Sequence, residues 1–123
     1  MTRNVGLYVR DILQNMQDAE EFIYGLSYDQ FAADKKTFNA AVRSIEVIGE
    51  AAKHVPAGVR QKYREVPWRE MAGMRDKVSH FYFGVDREVV WQVVKERIPA
   101  IRPVIEQILR DLEGEKSGRS HGP

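Results

Sequence analysis

Apolar residues recur at intervals of three and four along most of this chain, and that spacing predicts a helical protein. Val5, Tyr8, Val9, Ile12, Met16, Ala19, Phe22 and Ile23 make one core-facing stripe. Asn4 is the expected N-cap of this first helix, which should run to about Tyr24 and end at Gly25. Ser27 followed by Gln30 reads as a capping box opening a short turn of helix. It leads into a long helix with Phe38, Ala41, Val42, Ile45, Ile48 and Ala52 on one face, broken at Pro56-Ala57-Gly58. A brief helix is expected over Val59–Glu65. The next begins at Pro67 and carries Trp68, Met71, Met74 and Val78 on its apolar side, closing at Gly84. Asp86 caps the last pattern, which runs through Val89, Val90, Val93, Val94, Ile98, Ile101, Ile105, Ile108 and Leu112. Pro99 and Pro103 fall inside it and should kink or divide it, because each removes a backbone donor. Gly114 fits a C-terminal cap. Residues 115–123, His121 among them, have no apolar anchor and are expected to be a disordered tail after a domain spanning 1–114.

A chain of 123 residues, 43% hydrophobic and 30% charged, is long enough for one core and too short for two. It has no cysteine, which excludes disulfides and thiolate zinc sites. Neither a signal-peptide core nor a membrane-length apolar run is present, so a cytoplasmic location is expected. No repeat, phosphate-binding glycine loop or metal-ligand spacing is present. The net charge of +1 decides nothing, but its distribution does. Seven Lys or Arg (Lys53, Arg60, Lys62, Arg64, Arg69, Arg75, Lys77) lie between Lys53 and Lys77, against the acids Glu65, Glu70 and Asp76. Such a window suits a phosphate backbone; a solvated basic face is the alternative.

The window leads into Arg75-Asp76-Lys77-Val78-Ser79-His80-Phe81-Tyr82, where the chemistry concentrates. On an ideal helix Arg75, Ser79 and Tyr82 fall within roughly 60° of one another. Asp76 and His80 stand four apart, so the carboxylate can orient the imidazole for proton transfer. Arg75 offers a planar fork of donors to a phosphate. By spacing alone, Asp76–His80 is more readily a surface pair than a site. His54, near a helix end, reads as structural or surface. Small residues at Ala40, Ala41, Gly49, Ala51 and Ala52 favour close approach of another helix, which would offset the roughly 1 kcal/mol that Gly49 costs against Ala.

Arg75, four residues, His80, one residue, Tyr82 resembles the signature of the HEPN superfamily. With Ile48-Gly49-Glu50-Ala51-Ala52 upstream and Val85-Asp86 to Trp91 downstream, the chain is similar to the HepT toxins over about Leu7–Leu109. The resemblance implies an all-α, HEPN-type bundle of about four to five helices, dimeric, with metal-independent ribonuclease activity and no cofactor. It further implies a partner, an MntA-like nucleotidyltransferase antitoxin that transfers AMP to Tyr82. Glu50 would lie near the active cleft as a supporting residue.

RNA cleavage by the ribose 2′-hydroxyl requires a base, an acid for the leaving 5′-oxygen and positive charge on the phosphoryl oxygens. His80 can take either proton role near neutral pH, and Arg75 holds a permanent charge for the phosphorane. Asp76 would hold His80, Ser79 and Tyr82 would hydrogen-bond phosphate or ribose, and Lys53, Arg69 and Lys77 would bind the RNA backbone. One credible histidine per chain favours a two-fold homodimer that brings two sets to one cleft. Two other readings remain: a non-catalytic helical module that binds RNA or nucleotide, and the substrate-binding subunit of a nucleotidyltransferase pair.

Overall fold

The structure, a computed structural model, describes residues 4–79 and 86–121, with side chains for 4–74 and 86–114. Asn4 caps α1 (Val5–Ile23), its Oδ1 accepting from the Gly6 amide at 2.7 Å. One of the first-turn N–H groups is thereby satisfied. The predicted stripe of α1 is buried at Val9, Ile12, Met16, Ala19 and Ile23, whereas Phe22, at the stripe's edge in the last turn, is 40% exposed. Gly25 then turns the chain at φ 78°, in the left-handed region that disfavours side chains.

Ser27 and Gln30 form the expected capping box of α2 (Tyr28–Ala33). A cap the sequence pattern had not marked, Asp34, starts α3 (Lys35–Lys53). Its carboxylate accepts from the Thr37 amide at 3.2 Å and the Thr37 hydroxyl at 2.8 Å. The Thr37 hydroxyl is the main cause holding the Asp34 carboxyl below its ordinary pKa. The brief helix α4 (Ala57–Lys62) starts two residues before the expected position, since Pro56 is itself suited to the N-terminal boundary. α5 spans Trp68–Ser79.

Asp86 caps α6 (Arg87–Gln92) by accepting from the Glu88 and Val89 amides. The long final pattern is divided, as expected, but by a π turn at Val93–Arg97 placed just ahead of Pro99. There the Ile98 N–H reaches back five residues to the Val93 carbonyl. A proline ring in an α-helix collides with the carbonyl four residues earlier, which for Pro99 belongs to Lys95 inside this widened turn. α7 (Ile98–His121) then continues through Pro103, and also through Gly114, where the sequence places a cap. Glu113, Glu115 and Lys116 around Gly114 are good helix formers, and the penalty for one glycine is only about 1 kcal/mol.

No strand occurs among the described residues. The all-α bundle is built from α1, α3, α5 and α7, with α3 packed against both α1 and α5, and α1 against α7. Ile12, Met16, Phe31, Val90, Val94, Ile105 and Ile108 are fully buried in one continuous core. Each contributes roughly 1.5–3 kcal/mol relative to an exposed position. Trp91 closes the α6 side of that core against Phe31, ring centroids 5.3 Å apart. Polar ties join α7 to the rest: Arg102 to Glu20 of α1 at 2.9 Å, Arg10 of α1 to Glu113 at 2.7 Å, and the Tyr63 hydroxyl to Asp111. No helix among the described residues is long and apolar enough to cross a membrane.

Candidate functional site

The start of α5 is fixed from two directions. The Pro67 carbonyl accepts from the Met71 amide at 2.9 Å, and the Trp68 indole N–H donates to the Tyr63 carbonyl at 3.0 Å. Trp68 and Met71 are buried, so the helix is held by its apolar side as the spacing predicts. Arg75, Asp76, Lys77 and Ser79 all lie in its last turns, with Arg75 and Ser79 four apart and therefore on one face. Their side chains, together with His80, Tyr82 and the Gly84 boundary, lie outside the described residues. The Asp76–His80 pairing lies there too.

Glu50 and Lys53 occupy the last turn of α3, and both are exposed. Glu50 Oε1 stands 3.5 Å from Nε2 of His54, the C-cap residue. Gly49, beside Glu50, is buried in α3. Arg69 is exposed in the first turn of α5. The basic window is largely a surface feature. Lys53, Lys62, Arg64 and Arg69 are exposed, whereas Arg60 is half-buried with its Nε enclosed. In chain order these exposed cations run from the end of α3 through α4 to the start of α5, the helix that carries Arg75.

Two further features were not marked by sequence spacing. Under α5, Met16, Ile48, Met71, Met74 and Ile101 line a cavity of about 50 Å³. The Glu70–Arg97 ion pair also borders it. Its apolar lining offers packing space and no reactive group. The second is a groove of about 390 Å³ where α1 meets α3, lined by Tyr8, Asp11, Arg43, Glu46, Glu50 and His54. The Tyr8 and His54 rings are stacked in it, centroids 5.0 Å apart and 13° from parallel. Residues so distant in sequence give no local signal for such a stack. Among the described residues no group of three or more His, Asp or Glu is placed to hold a metal ion.

A family model described as "Ribonuclease HepT-like" matches residues 12–108. A Methanocaldococcus jannaschii protein named as a candidate RNase is 44% identical over 113 residues, covering 92% of this chain and 93% of its own. A Thermococcus cleftensis protein named as a candidate HepT ribonuclease is 44% identical over 108 residues, covering 88% of this chain and 98% of its own. A third relative, from Caldanaerobacter subterraneus subsp. tengcongensis and also named as a candidate RNase, is 41% identical over 103 residues, 84% of this chain and 92% of its own. No solved structure matches the chain.

Proposed function

Because the chain belongs to the HepT-like ribonuclease family, we propose that it is the toxin of a toxin–antitoxin pair, a metal-independent endoribonuclease centred on Arg75 and His80. The observation that carries this reading is the family match across 12–108, a span that includes the whole Arg75–Tyr82 segment. It is supported by the helical placement of Arg75 and Ser79 on one face and by the exposed basic track leading to them.

In the proposed reaction the ribose 2′-oxygen attacks the adjacent phosphorus while its proton passes to a base. The bond to the 5′-oxygen breaks, that oxygen takes a proton from an acid, and a 2′,3′-cyclic phosphate remains. His80 serves as one proton carrier, and the partner copy's equivalent histidine as the other. Arg75 stabilises the extra negative charge on the phosphoryl oxygens at the point where it develops. Asp76 orients His80, and Ser79 and Tyr82 hydrogen-bond the phosphate or ribose. Glu50 supports the cleft, and Lys53, Arg69 and Lys77 hold the RNA backbone. The shared cleft requires a homodimer.

The resemblance to the HepT toxins, with Tyr82 two residues beyond His80, supports control by an MntA-like nucleotidyltransferase. The Tyr82 oxygen attacks the α-phosphorus of ATP and releases pyrophosphate. The resulting phosphodiester brings a negative charge that Arg75 pairs with, in competition with RNA.

Incubating the purified chain with RNA in EDTA tests the nuclease reading; intact RNA at all protein concentrations would reject it. Intact-mass spectrometry after co-expression with the nucleotidyltransferase tests the control. An AMP mass increase is expected in wild type and absent in Tyr82→Phe, and an increase that persists in Tyr82→Phe would place the modification elsewhere.

A further inference from the structure

The groove between α1 and α3 combines three things that rarely meet on a helical surface. It has a flat stacked pair, Tyr8 on His54, whose His54 side chain is 52% exposed. It has carboxylates at Glu46, Glu50 and Asp11, and a guanidinium at Arg43. It also lies at the end of α3 where the basic window begins, since exposed Lys53 directly precedes His54 in the chain.

We propose that this groove is a base-reading subsite for RNA, in which a guanine stacks on His54 while its backbone stays on the basic track. The inference rests on the ribonuclease reading and names part of its specificity. Unstacked RNA bases are bound by stacking on aromatic or imidazole rings and by hydrogen bonds to their edges. His54 is backed by Tyr8, and Glu50 Oε1 stands 3.5 Å from its Nε2, so the stack presents one open ring face beside the carboxylates.

The polar lining selects among bases. Ionised carboxylates only accept hydrogen bonds, and a guanidinium only donates. Guanine alone presents two adjacent donors, N1–H and the 2-amino group, on one edge and two acceptors, O6 and N7, on another. A groove carboxylate takes the first edge and Arg43 the second, in place of the long contact between Arg43 Nη1 and Glu46 Oε2 at 3.8 Å. Adenine and cytosine set an amino group beside an acceptor, and uracil has a single N–H donor. Each therefore leaves a carboxylate oxygen facing a lone pair. The negative side chains also keep phosphate out of the groove and on Lys53, Lys62 and Arg64 outside it.

Binding is measured on the full-length His80→Ala chain, which removes the proposed proton carrier. The probes are a short oligouridine and the same oligomer with one central guanine, adenine or cytosine. The guanine oligomer is expected to bind about tenfold more tightly than oligouridine, within the range that one bidentate set of edge hydrogen bonds supplies. Adding His54→Ala should remove most of that gain and His54→Phe should keep it, since a phenyl ring preserves the stacking face. Adding Arg43→Ala should abolish the preference for guanine while oligouridine binding is retained.

Equal binding of all four oligomers, or a guanine preference that survives Arg43→Ala, would overturn the proposal while leaving the nuclease intact. GMP competing at the affinity of the guanine oligomer would make the groove a mononucleotide site instead and overturn it as an RNA subsite. A loss of mass in light scattering on His54→Ala would assign the groove to contact between copies and overturn it as well. Failure of every oligomer to bind would reject the ribonuclease reading itself, and the subsite with it.

Discussion

Arg75 and His80 are the residues on which the proposed activity turns, and they differ in how a substitution should register. Arg75→Ala removes the charge that meets the phosphorane, and His80→Ala removes a proton carrier. Each is expected to lower cleavage by at least about a hundredfold while leaving helicity and mass unchanged. Full activity in either folded variant would remove the mechanism. Asp76→Asn should cost less, because the amide oxygen still accepts one hydrogen bond from the ring and loses only the charge that favours imidazolium. The placement of Arg75 and Ser79 on one helical face was legible from spacing, because it depends on a single element's period. Asp34 as a cap and His54 as half of a ring stack were not. Asp34 follows so closely on α2 that the two helices read as one run, and the His54 stack exists only once α1 and α3 are side by side.

At the scale of elements, the long helices were read well because each has an apolar stripe several turns long. Boundaries went astray where backbone hydrogen bonding rather than side-chain pattern decides. The start of α4 at Ala57, the π turn ahead of Pro99 and the passage of α7 through Gly114 are three instances. The junction of α4 with α7 makes a testable prediction. The Tyr63 hydroxyl donates to Asp111, and this bond, followed by that from Gln107, holds the Asp111 carboxyl below its ordinary value. A group whose pKa is depressed by folding stabilises the fold above its unfolded pKa, near 3.9, and loses that contribution as pH falls through the lower folded value. Stability should therefore decline below about pH 4. Asp111→Asn should be less stable than wild type at neutral pH and show a shallower acid decline in thermal melts. An acid decline of unchanged steepness would locate the sensitivity at other carboxylates, Asp34 first, which is depressed by its bond from Thr37.

For the whole molecule, the expected homodimer follows from chemistry that needs two proton carriers where one chain has one credible histidine. Light scattering on the active protein should give twice the chain mass, and a monomer that still cleaves RNA would refute the shared cleft. The general architecture was legible because a helical bundle of this length has few ways to bury four amphipathic faces. The pairing of first helix with last was not, since no local pattern records which faces meet. That pairing has a practical result. Arg10, near the start of α1, is bonded to Glu113, near the far end of α7, so the two ends of the bundle's chain path lie side by side. A short flexible linker can join Gly114 directly to Asn4, and the exposed turn at Gly25 can be opened to make new ends. Such a circular permutant should fold with the circular dichroism of the parent, and the joined Gly114–Asn4 segment would become an interior hinge on which a reporter domain can be mounted.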